Sequence, residues 1–201
     1  LRAMEREYEG FSQSVRRVMQ ASQRGELAGV HGPLSSLIRV SDRESVAVEI
    51  ALGAAMQNIV VDNEQDAKAA IGYLKRPDYG RATFLPMSAI RPQTLNANAR
   101  NVLKMPGCIG VASELVQCAP EYRAIIENLL GRTIIAENLD AGIKIQRAGR
   151  YQYRLVTLEG DVMHSGGSMT GGSIQQKAQN LLGREREMKE LADQLREITE
   201  R

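Results

Sequence analysis

Apolar side chains stand at Leu1, Met4, Tyr8, Phe11, Val15 and Val18, spaced alternately three and four residues apart. That spacing is the seam of a heptad helix. Gly10 lies within it, at a small cost in helix stability. The last residues behave alike: Leu181, Met188, Leu191, Leu195 and Ile198 keep one register, with Arg184 as the polar lapse. Glu185 with Lys189, and Glu197 with Arg201, form i,i+4 pairs in the favourable order. Either helix alone reads as an ordinary amphipathic surface helix. Together they predict an antiparallel coiled-coil pair, because one enters a globular middle and the other leaves it, and their seams have only each other to bury against.

The middle, about 27–174, alternates two periods. Helices are predicted over 44–55, 64–75, 120–130 and 138–148, with Pro120 opening one and Asn138 capping another. Strands are predicted over 58–61, 82–85, 133–136 and 154–158, and a turn at Gly160 leads into Val162 and Met163. The two halves resemble each other. Leu52-Gly53, Ile59-Val60-Val61-Asp62 and Asp66-Ala67 match Leu130-Gly131, Ile134-Ile135-Ala136-Glu137 and Asp140-Ala141. This suggests an internal duplication, although short α/β units also look alike by chance. The expected seam is the Pro- and Asn-rich stretch 91–107. The fold class is mixed α/β, with two related subdomains over 27–104 and 105–174 and arm stubs over 1–26 and 175–201.

Composition narrows the function classes. The 201 residues include 43% hydrophobic and 25% charged side chains, values normal for a globular protein. With no Trp and two Phe, aliphatic residues must build the core. A formal net charge of +2 makes no global case for nucleic acid or membrane, so any basic site must be local. Cys108 and Cys118 are too few and too far apart for a disulfide framework or a zinc site, and they fit a reducing compartment. No apolar run reaches membrane-spanning length and no signal-peptide pattern opens the chain. Leu1 and Arg201 both fall inside charged helical patterns, so a piece of a longer protein is expected.

The most distinctive segment is Gly166-Gly167-Ser168-Met169-Thr170-Gly171-Gly172. It reads as a flexible linker, as a phosphate loop, or as a place where two backbones approach closely because no Cβ intervenes. Gly172 stands where a phosphate loop needs its Lys, and the segment lies near the chain end. Glycines on both sides of Met169 and Thr170 favour a strand that adds to a partner's sheet edge. His31 and His164 lack neighbours at metal spacing and read as structural or surface residues. Asp62, Glu64 and Asp66 read as helix-start acids that favour the dipole. Arg16, Arg17 and Arg24 near the end of the first helix, with Lys177, Arg184 and Arg186 near the start of the last, form a solvated face or a set of phosphate contacts.

Several segments in order resemble the hinge domain of SMC proteins (structural maintenance of chromosomes). They are Gly29-Val30-His31-Gly32, Ala47-Val48-Glu49 with Leu52-Gly53, the run from Gly80 to Pro86, the run from Val156 to Asp161, and the terminal glycine motif. The resemblance covers nearly the whole chain and is closest to the undivided bacterial type. It implies a two-fold homodimer with residues 166–172 at the interface, and weak non-specific DNA contact near the arm junction through the six basic residues above. It also implies a cytoplasmic, nucleoid-associated setting, with the ATPase head elsewhere in a longer chain that condenses and segregates chromosomes. It implies no catalysis, cofactor, small-molecule substrate or membrane for this segment. The rival from the enzyme class is a small nucleotide-binding α/β enzyme using the glycine-rich loop.

Overall fold

A computed structural model describes residues 8–174 and 181–199. Leu1 and Met4 of the first seam, and Lys177, lie outside the described residues. Gly10 adopts φ +101° and ends any helical run through it. Ser12 is extended, and helix α1 spans Gln13–Gln23, so the expected continuous seam through Gly10 is broken. Phe11, Val15, Val18 and Met19 are nevertheless buried, because the same stripe faces the core on both sides of the break.

Strand β1 (Val30–Pro33) follows. After a helical turn at Leu34–Leu37 come β2 (Ile38–Val40) and α2 (Asp42–Leu52). Then β3 (Ile59–Val61), α3 (Glu64–Leu74) and β4 (Phe84–Pro86) complete the first half. β1 runs antiparallel to β3, and β3 runs parallel to β4 through the α3 crossover. Pro86 sits in β4 because this strand ends its sheet, where a missing N–H breaks no ladder.

The second half repeats this order. β5 (Cys108–Val111), β6 (Val116–Cys118), α4 (Arg123–Leu130), β7 (Thr133–Ala136), α5 (Leu139–Ala148) and β8 (Arg154–Thr157) follow in turn. β5 is antiparallel to β7, and β7 is parallel to β8. Two more strands, β9 (Val162–Met163) and β10 (Met169–Thr170), extend the sheet to the order β10-β9-β8-β7-β5. Helix α6 spans Leu181–Thr199.

The duplication extends to single hydrogen bonds. Asn63 and Asn138 cap α3 and α5, accepting from the amides of Asp66 and Ala141 at 2.9 Å each. The Asp62 amide donates to the Gly29 carbonyl, and the Glu137 amide to that of Gly107, again at 2.9 Å. A Cβ at Gly29 would overlap the Asp66 carboxylate, and one at Gly107 would overlap the Ala141 methyl. Asp66 thus corresponds to Ala141, one residue away from the pairing that the sequence suggested.

The chain forms two compact units: the described residues up to Leu37 with Ala54–Arg91, and Ile38–Gly53 with Pro92 onward. Residues 38–53 leave the first half and pack in the second unit, where β2 pairs with its counterpart β6. These bounds differ from a division at 104/105. The later boundary, after Arg91, falls at the start of the expected seam 91–107, and the rest of that stretch packs in the second unit. Leu95, Ala99 and Val102 are buried with Val111, Ile134, Ile145, Tyr153 and Leu155 in the second core. The helix expected over 120–130 begins as a 3-10 turn at Pro120–Tyr122.

Candidate functional site

The glycine segment is a hairpin on the rim of the five-stranded sheet. Met169 pairs with Met163, and Thr170 with Val162. The His164 amide donates to the Ser168 carbonyl at 2.8 Å, and the Gly167 amide to His164 at 3.0 Å. His164 Nε2 lies 3.1 Å from Thr170 Oγ1. Below the hairpin, the buried amide of Gln146 on α5 donates to the Tyr153 and Met163 carbonyls at 3.0 and 3.2 Å. The Tyr153 hydroxyl donates to the Ile145 carbonyl at 2.9 Å, and burial pushes its pKa up to about 12. The inner strand β9 is therefore buried and anchored. The outer strand β10 is exposed, and among the described residues its far edge has no partner.

The glycines serve different ends. Gly166, Gly167 and Gly172 have φ of +93°, +106° and +128°, and the space beside them is open. Side chains there would be strained by the backbone and not by crowding. At Gly171 a Cβ would overlap the carboxylate of Asp161. That residue is held in place by its amide, which donates to Thr157 Oγ1 at 3.1 Å. The segment joins two antiparallel strands, and among the described residues that directly follow Gly171, as far as Ile174, no helix opens. A phosphate loop needs that helix, so this geometry does not support the nucleotide-binding reading.

At the root of α6, sequence reading missed a contact. Glu49 on α2, buried, accepts a hydrogen bond from the Leu182 amide at 3.2 Å. It ties the first described turn of α6 to α2. Burial pushes its pKa up, and the amide opposes this more weakly. Leu182 is itself buried, and the start of α6 packs on α2 and β2. The available signal was an acid within the apolar run Ala47-Val48-Glu49-Ile50. Farther along, Met188, Leu191, Leu195 and Ile198 form an exposed apolar stripe.

The basic residues divide. Arg16 is exposed. Arg17 stacks over the Tyr79 ring at 4.1 Å. Arg24 pairs with Glu26 at 3.0 Å and donates to the Tyr73 hydroxyl at 3.3 Å. Tyr73 and Tyr79 meet edge to face at 5.4 Å, with Arg76 near both. This cluster was also missed, although Tyr73, Lys75, Arg76 and Tyr79 interleave aromatic and basic residues. In the second unit Arg184 is exposed on α6. Arg186 belongs to the same helix, but its side chain is outside the described set.

The other candidates have structural partners. His31 Nε2 lies 2.5 Å from Asp62 Oδ1. Glu64 and Asp66 occupy the first turn of α3. Among the described residues, no three His, Cys, Asp or Glu side chains gather closely enough to hold a metal. Burial pushes both cysteine thiols up, away from the reactive thiolate. No helix of the described residues is long and apolar enough to cross a membrane.

The SMC proteins flexible hinge domain family matches residues 27–146. The chain is similar to the chromosome partition protein Smc of Bacillus subtilis, 44% identical over 100% of this chain and 17% of that protein. It is 45% identical to the Smc of Desulfitobacterium hafniense, over 95% of this chain and 16% of that one. The chain therefore spans about a sixth of the length of these curated relatives. Among solved structures, an asymmetric dimer of the Geobacillus stearothermophilus SMC hinge domain superposes with a TM-score of 0.89. The two are 46% identical, covering 99% of this chain and 79% of that one. The Pyrococcus furiosus SMC hinge domain gives 0.66 at 27% identity, covering 87% of this chain and 91% of that one.

Proposed function

Because this chain belongs to the family of SMC flexible hinge domains, we propose that it pairs with a second copy of itself and so joins two long chromosome-partition chains. Its role is association, with residues 166–172 at the contact. The observation that supports this reading best is the β10 edge. It is exposed and unpaired among the described residues, it carries a large apolar side chain, and it is flanked by glycines with open space beside them. An edge of that kind is normally blunted unless something adds to it.

The longer chain would supply the ATP-hydrolysing head and condense and segregate chromosomes. The exposed apolar stripe of α6 is suited to the root of an arm, because it needs a covering seam, whereas the stripe of α1 is already buried in its own unit. Weak, non-specific contact with DNA phosphates would come from basic residues near these arms, with Arg16 foremost because its charge is uncommitted to an aromatic ring.

The test is the mass of this chain in solution, by light scattering behind a sizing column over a dilution series. Twice the mass of one chain, persisting at low micromolar concentration, is expected. A specific pair should bury about 1,600 Å² in total. A stable monomer at every concentration would overturn the reading.

A further inference from the structure

Within the two globular units, the described large apolar side chains left open to solvent are Ile71 and Met169, at 44% and 52% exposure. The other four stand on α6. Each of the two lies beside an open sheet edge. Met169 is part of β10 itself. Ile71 is on α3, which packs against β4, the terminal strand of the three-stranded sheet. Between α3 and β4 runs an open groove of about 340 Å³. Ala67, Ile71, Gly72 and Pro86 line it, together with the charged residues Glu64, Lys68 and Lys75.

We infer that Met169 of each copy seats in the α3–β4 groove of its partner, against Ile71. This rests on the homodimer reading and names the side chains that hold it. The groove is open and lined by both apolar and charged residues, and an unbranched thioether adapts to such a space better than a branched or aromatic side chain does. The occupant is a second copy of this chain. The knob and the groove are both present in one chain, so a two-fold pair makes the contact twice and leaves neither exposed. Addition of β10 to an open strand edge also brings its side chains against the elements that flank that edge, which is how strand addition acquires specificity. Anchors of this kind, surrounded by a polar rim, dominate the strength of protein interfaces.

The experiment measures dimer dissociation by analytical ultracentrifugation for the wild-type chain, Met169→Lys, Ile71→Glu and the double variant. Both positions are exposed, so the folded units should persist, and thermal melting checks this for each protein. Met169→Lys is expected to raise the dissociation constant about tenfold or more, because an ammonium would be desolvated in an apolar contact beside Lys68 and Lys75, which outnumber Glu64. Ile71→Glu should weaken pairing similarly. Combined, the two should recover most of the loss, since the introduced charges meet across the contact, and added salt should diminish the recovery. Met169→Ala and Ile71→Ala give an uncharged cycle, expected to be non-additive by at least about threefold. A wild-type dimer that Ile71→Glu leaves unchanged, or losses that merely multiply in both cycles, overturns this inference and leaves the hinge reading intact. A wild-type chain monomeric at every concentration overturns both.

Discussion

At Gly171 the carboxylate of Asp161 occupies the space where a side chain would stand, so the residue is glycine for a reason internal to one copy. Its neighbours Gly166, Gly167 and Gly172 are glycines for backbone conformation instead. A loss of pairing after substitution at Gly171 therefore mixes two effects, and Gly171→Glu would add like-charge repulsion to the overlap. Gly171→Ala should lower folding stability by about 1–3 kcal/mol, the usual cost of overpacking. Asp161→Ala introduced with it should restore a large part. Urea denaturation of the two single variants and the double variant checks this. Strict additivity would mean that the overlap is relieved at no cost.

At the scale of elements, the root of α6 depends on Glu49. Its carboxylate is desolvated, and one described bond, from the Leu182 amide, compensates in part. An acid whose folded value lies above its unfolded one binds protons more readily when folded. Its contribution to stability is therefore complete below the ordinary carboxylate range and is lost as pH rises through the raised value. Wild-type stability should decline with rising pH across that window. Glu49→Gln should flatten the decline while keeping an acceptor for Leu182. Glu49→Ala should cost about 1–3 kcal/mol, because a buried amide loses its partner. Chemical denaturation as a function of pH distinguishes these outcomes, and an identical pH slope in wild type and Glu49→Gln would exclude the effect.

For the whole molecule, the near-neutral charge means that the proposed DNA contact would rest on a few exposed cations. Arg17 is held over Tyr79 and Arg76 lies near two rings, whereas Arg16 and Arg184 are exposed. Replacing Arg16 and Arg184 together with Ala should reduce the salt dependence of DNA binding by about two phosphate contacts, with little change in stability. Arg17→Ala should do the reverse, leaving the salt slope intact and lowering stability by about 1 kcal/mol through the lost stacking. Binding isotherms over a series of salt concentrations, beside thermal melts, separate the two.

Local chemistry was legible without coordinates wherever one element carried its own signal. The period of α3, the Asn138 cap, the apolar run of β7 and the turn at Gly160 all act within a few residues, and so did the halves' likeness. The glycine segment was legible as backbone chemistry because its residues exclude both a packed core and a helix. What only the tertiary structure decided is partnership. Periodicity shows that a face is buried, not what buries it. It could not show residues 38–53 packing with the second unit, or Leu95, Ala99 and Val102 joining the second core. Nor could it show Glu49 meeting an amide 133 residues away, or Arg17 finding Tyr79. Those outcomes depend on contacts distant along the chain, whose energies appear only once the units have closed around them.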